Sequence, residues 1–118
     1  MAFLFENLDV YKKSMDLADE LTDVAENFPR GKYYLKDQLN RALLSITNNI
    51  AEGNGRFAKN DKSHFFYISR GSAFECVSIL EMCARKKILT YKQVGGYKDR
   101  LDGICRMISG LIKKQEEE

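Results

Sequence analysis

Apolar residues recur along this chain at spacings of three and four in four long runs divided by short polar breaks, and no stretch alternates with the period of a strand. The pattern predicts four helices, over about residues 7–27, 34–53, 60–87 and 90–115. In the first, Tyr11, Met15, Ala18, Leu21, Ala25 and Phe28 form the inward stripe, and Phe28-Pro29-Arg30-Gly31 ends it because proline cannot continue a helix. The second turns Leu35, Leu39, Ala42, Leu43, Ile46, Ile50 and Gly53 inward and offers Gly53-Asn54-Gly55 as a glycine-type stop. The third opens near Asn60 or Asp61, either able to cap, and places Phe65, Ser72, Cys76, Ile79, Leu80 and Cys83 on one face. The fourth begins at Thr90-Tyr91-Lys92-Gln93, a capping-box pattern, and carries Val94, Tyr97, Leu101, Ile104, Cys105, Ile108, Leu111 and Ile112. Helices of roughly 20 to 26 residues are about 30 to 39 Å long, and short connections make neighbours antiparallel. An all-α, up-and-down antiparallel four-helix bundle follows, as one domain over residues 1–118.

Three features exceed what one bundle core uses. Beside the apolar arc of the second helix runs a polar stripe, Gln38, Arg41, Ser45, Asn49, Glu52 and Arg56. Polar groups at a core edge need partners, since an unpaired buried one costs roughly 1 to 3 kcal/mol. The stripe reads either as an internal network fixing helix register or as an anion site built on Arg41 and Arg56. On the fourth helix Gly96, Gly103 and Gly110 recur every seven residues opposite the core stripe, each costing a helix interior roughly 1 kcal/mol relative to alanine. Such a line suits the close approach of another backbone. Leu44 and Ala51 on the second helix, and Tyr67 and Phe74 on the third, likewise face away from the core, so these seven residues are the expected oligomer interface. The alternative for Tyr67, Arg70 and Phe74 is base stacking with phosphate contact.

Composition adds little until charge is placed along the chain. Of 118 residues 19 are Lys or Arg and 17 Asp or Glu, a net +2. Residues 1–30 nevertheless hold 3 basic and 7 acidic side chains, residues 31–115 hold 16 basic and 7 acidic, and three glutamates close the chain. That asymmetry can steer an anionic partner or fasten one copy's basic face to another's acidic one. No apolar run approaches the roughly 20 residues that cross a bilayer, and Met1–Phe5 lacks the flank and length of a signal peptide, so a soluble cytoplasmic protein is expected.

Catalytic and metal chemistry find no support in the residue pattern. A bundle-core di-metal centre needs glutamates and Glu-x-x-His motifs, and the chain has only His64. Cys76 and Cys83 are seven apart, a core spacing and not that of a zinc Cys-x-x-Cys, and with Cys105 they leave an odd thiol. No cofactor, metal or enzymatic activity is expected.

One stretch is distinctive: Phe28-Pro29, then Tyr34-Leu35, Gln38-Leu39, Arg41-Ala42, Ser45-Ile46 and the run Asn49-Ile50-Ala51-Glu52-Gly53-Asn54-Gly55-Arg56, followed by Phe65, Ile68, Gly71-Ser72 and Glu75. It resembles the bacterial four-helix-bundle proteins of the 23S rRNA intervening sequence family over nearly the whole chain, departing from them at Lys32-Tyr33-Tyr34, where an acidic residue is usual before Tyr-Leu. The resemblance implies a left-handed up-and-down bundle assembled as a ring of five, and kinship with the accessory proteins of diversity-generating retroelements, whose basic pentamers bind nucleic acid and a reverse transcriptase. The motif residues Arg41, Ser45, Asn49, Glu52, Gly53, Gly55, Arg56 and Glu75 are expected to be architectural, with Asn49, Glu52 and Glu75 bonding between helices two and three and the glycines turning the chain.

The functional expectation is a non-enzymatic homopentameric scaffold that binds RNA or DNA through phosphates. Lys59, Lys62, Arg70, Arg85, Lys86, Lys87, Lys92, Arg100, Arg106, Lys113 and Lys114 are the candidate contacts. The alternative is an adaptor that recruits another protein without nucleic acid.

Overall fold

The computed structural model describes residues 3–117. A short 3₁₀ turn, Leu4–Asn7, precedes four helices: α1 (Asp9–Glu26), α2 (Tyr33–Gly55), α3 (Lys59–Arg85) and α4 (Tyr91–Glu116). The molecule is an all-α bundle measuring 47 × 29 × 20 Å. Consecutive helices run antiparallel. Pairing is closest between α2 and α3, then α3 and α4, and α1 and α2, whereas α1 and α4 barely meet, so the bundle has one open seam.

Helix ends follow local chemistry. Phe28 is buried beyond the end of α1, and the following turn bonds the Lys32 N–H to the Pro29 carbonyl with Gly31 at φ 85, a left-handed conformation glycine adopts without strain. Thr90 caps α4 as its sequence predicts: its Oγ1 accepts from the Gln93 N–H at 3.0 Å while the Gln93 side chain accepts from the Thr90 N–H at 2.9 Å. α3 stops in a Schellman arrangement, with the Ile88 N–H bonded to the Cys83 carbonyl and the Lys87 N–H to the Ala84 carbonyl. The left-handed position in that motif, normally glycine, is Lys87 at φ 60.

Several expectations need correction. Neither Asn60 nor Asp61 caps α3; the cap residue is Ala58, with no side-chain bond, and Asp61 lies in the first turn. Gly53 and Gly55 do not turn the chain, because α2 continues through both. Gly53 is instead a close-packing residue: a β-carbon there would lie 2.7 Å from Cε1 of the buried Phe66 ring. In α1 the buried residues are Val10, Ser14, Leu17, Ala18, Leu21 and Ala25, so Ala18, Leu21 and Ala25 are inward as expected, while Met15 is 41% exposed on the flank. In α3 the buried set is Phe66, Ser69, Ala73, Cys76, Leu80, Cys83 and Ala84, with Phe65, Ser72 and Ile79 only half-buried. α3 packs on both α2 and α4, so its buried arc centres between them, on small residues that carry little hydropathy. The second and fourth helices bury the expected stripes, with Tyr97, Cys105 and Leu111 at the margin.

Candidate functional site

Part of the polar stripe of α2 is engaged at the α2–α3 seam. The Ser45 and Ser72 hydroxyls are 2.6 Å apart, Asn49 Nδ2 donates to the Ser45 carbonyl at 2.8 Å and to its Oγ at 3.0 Å, and the buried Ser69 hydroxyl donates to the Ile46 carbonyl at 2.8 Å. Arg56 pairs with Glu52 at 3.2 Å and stacks 4.7 Å from the centre of the Phe65 ring. The expected helix-to-helix bonds of Asn49, Glu52 and Glu75 are absent among the described residues: Asn49 bonds to Ser45 of its own helix, Glu52 turns along that helix to Arg56, and exposed Glu75 makes no bond. The link from α2 to α3 runs through serines, whose short side chains fit a close seam where a glutamate does not. Arg41 is exposed and without a bonded partner among the described residues, beside a shallow groove it shares with Asn40, Leu44 and Asn48.

Tyr67, Arg70 and Phe74 form no open stacking surface. Arg70 donates to Ser109 Oγ at 3.0 Å and lies 5.0 Å over the Tyr67 ring, while the Tyr67 hydroxyl donates to Glu116 at 3.0 Å. That bond and the carboxylate charge hold the phenol above its ordinary pKa. A guanidinium already engaged beside a carboxylate is poorly placed to meet a phosphate. Phe74 makes no such contact among the described residues and is 58% exposed, and Tyr67 is 45% exposed with its hydroxyl engaged.

The eleven candidate cations divide sharply. Arg100 pairs with Glu20 at 3.0 Å, Arg106 with Asp102 at 3.1 Å and Lys113 with Glu117 at 3.9 Å, and Lys62 donates to the Asn54 carbonyl at 2.8 Å. Lys59 also has a partner. Arg85, Lys86, Lys87, Lys92 and Lys114 form no ion pair among the described residues; Lys114 sits at one end of the bundle, and the other four at the opposite end, which carries the α1–α2 and α3–α4 turns. The antiparallel topology brings to that end Arg30 and Lys32, which charge counting along the chain had placed with different helices.

The two turns at this end, residues 27–36 and 82–98, contain no Asp or Glu, and Glu26, Asp37, Glu81 and Asp99 border them. Of their eight cations only Lys36 and Lys98 are paired among the described residues, to Glu26 and Glu81, each at 3.2 Å. Tyr33, Tyr34 and Tyr91 are exposed there at 56%, 53% and 65%. The opposite end mixes Arg56, Lys59, Lys62, Lys113 and Lys114 with Glu6, Asp9, Glu52, Asp61, Glu116 and Glu117. Charge is therefore polarised along the long axis, a property invisible in a sum of +2.

The expected interface residues lie on three faces. Gly103 opens onto the α1–α4 seam with Lys13, Asp16, Asp99 and Arg100, and Gly96 onto its continuation with Glu20, Tyr97 and Arg100. A β-carbon at Gly96, Gly103 or Gly110 would meet nothing within 4 Å. Leu44, 55% exposed, and half-buried Ala51 are on the outer side of α2, while Tyr67 and Phe74 are on the α4 side of α3.

His64 is exposed, with its ring edge-on to Phe65 at 5.2 Å. Burial pushes the Cys76 thiol up to about 12 and Cys83 to about 11, so both are protonated at neutral pH and unfit as nucleophiles there. No group of three or more His, Cys, Asp or Glu suited to a metal occurs among the described residues. Nor is any helix among them long and apolar enough to cross a membrane.

A family model described as 23S rRNA-intervening sequence protein matches residues 6–110. A crystal structure from Bacteroides thetaiotaomicron, of a protein with unknown function from the S23 ribosomal protein family, aligns with a TM-score of 0.82 at 22% identity. The alignment covers 88% of this chain and 95% of that one, and at such identity the likeness is one of fold. No curated protein matches the chain.

Proposed function

Because the chain belongs to the 23S rRNA-intervening sequence protein family, we propose that it is a non-enzymatic, cytoplasmic, homo-oligomeric scaffold that binds RNA or DNA through phosphates, with five subunits as the expected number. The observation that carries the nucleic-acid part is the end with the α1–α2 and α3–α4 turns, where six cations, Arg30, Lys32, Arg85, Lys86, Lys87 and Lys92, form no ion pair among the described residues. Phosphates are bound by such clusters with release of condensed counterions, so affinity falls steeply with salt. Roughly four to six phosphate contacts give a loss of about 50- to 300-fold in single-strand affinity between about 50 and 200 mM salt. Absence of binding at the lower salt discards this function. Support for self-association comes from the open α1–α4 seam, where glycines leave room for a second backbone and Lys13, Asp16, Asp99 and Arg100 offer both signs of charge. Solution mass measurement tests it directly.

A second reading has its own observation. Leu44, Phe74, Ile68 and Met82 are 55%, 58%, 39% and 41% exposed, apolar area on α2 and α3 that a partner protein could cover. Co-purification of one stoichiometric protein, undisturbed by nuclease treatment, selects the adaptor over the nucleic-acid scaffold.

A further inference from the structure

The end with the α1–α2 and α3–α4 turns has aromatic rings placed among its cations, and helix register fixes where two of them stand. Ser45 of α2 meets Ser72 of α3; eleven residues back along α2 is Tyr34, and eleven forward along antiparallel α3 is Cys83. Tyr34 also lies seven residues before Arg41 on the flank of α2 turned toward α3. Lys98 of α4 meets Glu81 of α3; seven back is Tyr91 and seven forward is Ile88. Tyr34 and Tyr91 thus flank the C-terminal end of α3 from its two sides, with Arg85, Lys86 and Lys87 between them. Lys87 and Tyr91 further share a shallow pocket with Ile88 and Leu89.

Lys87 is the second observation. It occupies the left-handed position of the α3 stop at φ 60, where glycine is the unstrained choice. A non-glycine residue held there is disfavoured, and such outliers gather at functional sites. What lysine adds in exchange is one more cation beside the pocket.

We propose that this end is a stacking platform for single-stranded nucleic acid: bases lie on Tyr34 and Tyr91, and phosphates meet Arg85, Lys86, Lys87 and Lys92. The proposal rests on the phosphate-binding function above and names the ligand form and the place. A duplex fits less well, because its bases are already stacked and readout of its groove needs an inserted helix or β-ribbon, whereas this end presents turns. The 29 × 20 Å cross-section gives a short run of single strand room to cross it.

The test is anisotropy titration of labelled single-stranded RNA, single-stranded DNA of the same sequence, and a duplex of equal length, at low and moderate salt. Single strands are expected to bind more tightly than duplex, and the RNA and DNA arms show whether the 2′-hydroxyl contributes. Tyr34→Ala and Tyr91→Ala each weaken single-strand binding by about 5- to 150-fold, while Tyr34→Phe and Tyr91→Phe retain it; both positions are exposed, and helical content checks the fold. Lys87→Glu weakens binding, and Lys114→Glu at the opposite end does not. Equal affinity for duplex and single strand, with both alanine variants unaffected, overturns the platform and leaves phosphate binding standing. Equal losses at Lys87 and Lys114 overturn the location. No binding of any probe at low salt removes the function itself.

Discussion

At Gly53 a β-carbon would lie 2.7 and 2.9 Å from two carbons of the Phe66 ring and 3.1 Å from the Lys62 carbonyl. Alanine gains roughly 1 kcal/mol of helix propensity there, but forcing a buried ring aside costs up to about 3 kcal/mol. Gly53→Ala is therefore expected to destabilise the protein by about 2 kcal/mol in urea denaturation; a stabilised variant would show that the ring has somewhere to go. Lys87 presents the reverse case. Relief of its left-handed backbone by Lys87→Gly is worth roughly 1 kcal/mol or more, partly offset by the loss of a cation at a helix C-terminus, about 0.3 to 1 kcal/mol. A net gain of roughly 0.5 kcal/mol is expected in the same measurement, together with weaker single-strand binding. A variant that binds as before would strip the strain of its functional meaning. Neither residue could be judged from its neighbours in sequence: Gly53 looked like a stop signal because its packing partner is thirteen positions away, and Lys87 looked like an ordinary last-turn cation.

For whole helices, the periodicity was legible wherever the buried face is strongly apolar. The stripes of α2 and α4 and the Thr90–Gln93 capping box are local patterns, and the structure contains them. α3 was harder because it has two neighbours, and its inward line includes Ser69 and Ala73, buried for closeness of approach and not for hydropathy. The α4 glycines supply the prediction at this scale. With nothing within 4 Å of a β-carbon at Gly103, Gly103→Leu leaves the protomer's helices intact by circular dichroism, yet fills the seam open to a second copy. The expected result is a fall in solution mass toward the 13.6 kDa protomer. An unchanged assembly places the interface elsewhere.

On the scale of the molecule, buried thiols tie stability to pH. Burial raises Cys76 to about 12 and Cys83 to about 11 from an ordinary value of 9.0, and Cys105 is raised as well. Above about pH 9 the unfolded chain releases these protons while the folded one keeps them, so stability falls as pH rises. The contribution is fully present below pH 9 and is lost progressively toward pH 11 to 12, with a slope approaching about 1.4 kcal/mol per pH unit for each thiol ionised only in the unfolded state. Denaturation midpoints between pH 8 and 10.5 check the sign, and Cys76→Ala should flatten the decline.

The linear order of residues determined the number of helices, their approximate ends, the all-α class and most of the α2 and α4 core, since each depends on interactions within a few turns. It also contained the charges, but not their arrangement. Arg30 and Lys32 are more than fifty positions from Arg85, Lys86 and Lys87, and only antiparallel packing carries both turns to one end, away from the glutamates that balance the other. Likewise, whether Arg70 is open or engaged was decided by Ser109 of α4 meeting it across the α3–α4 seam. Local periodicity sets elements because hydrogen bonds and burial repeat every turn; a surface is set by which elements end together, and that is a property of the packed chain alone.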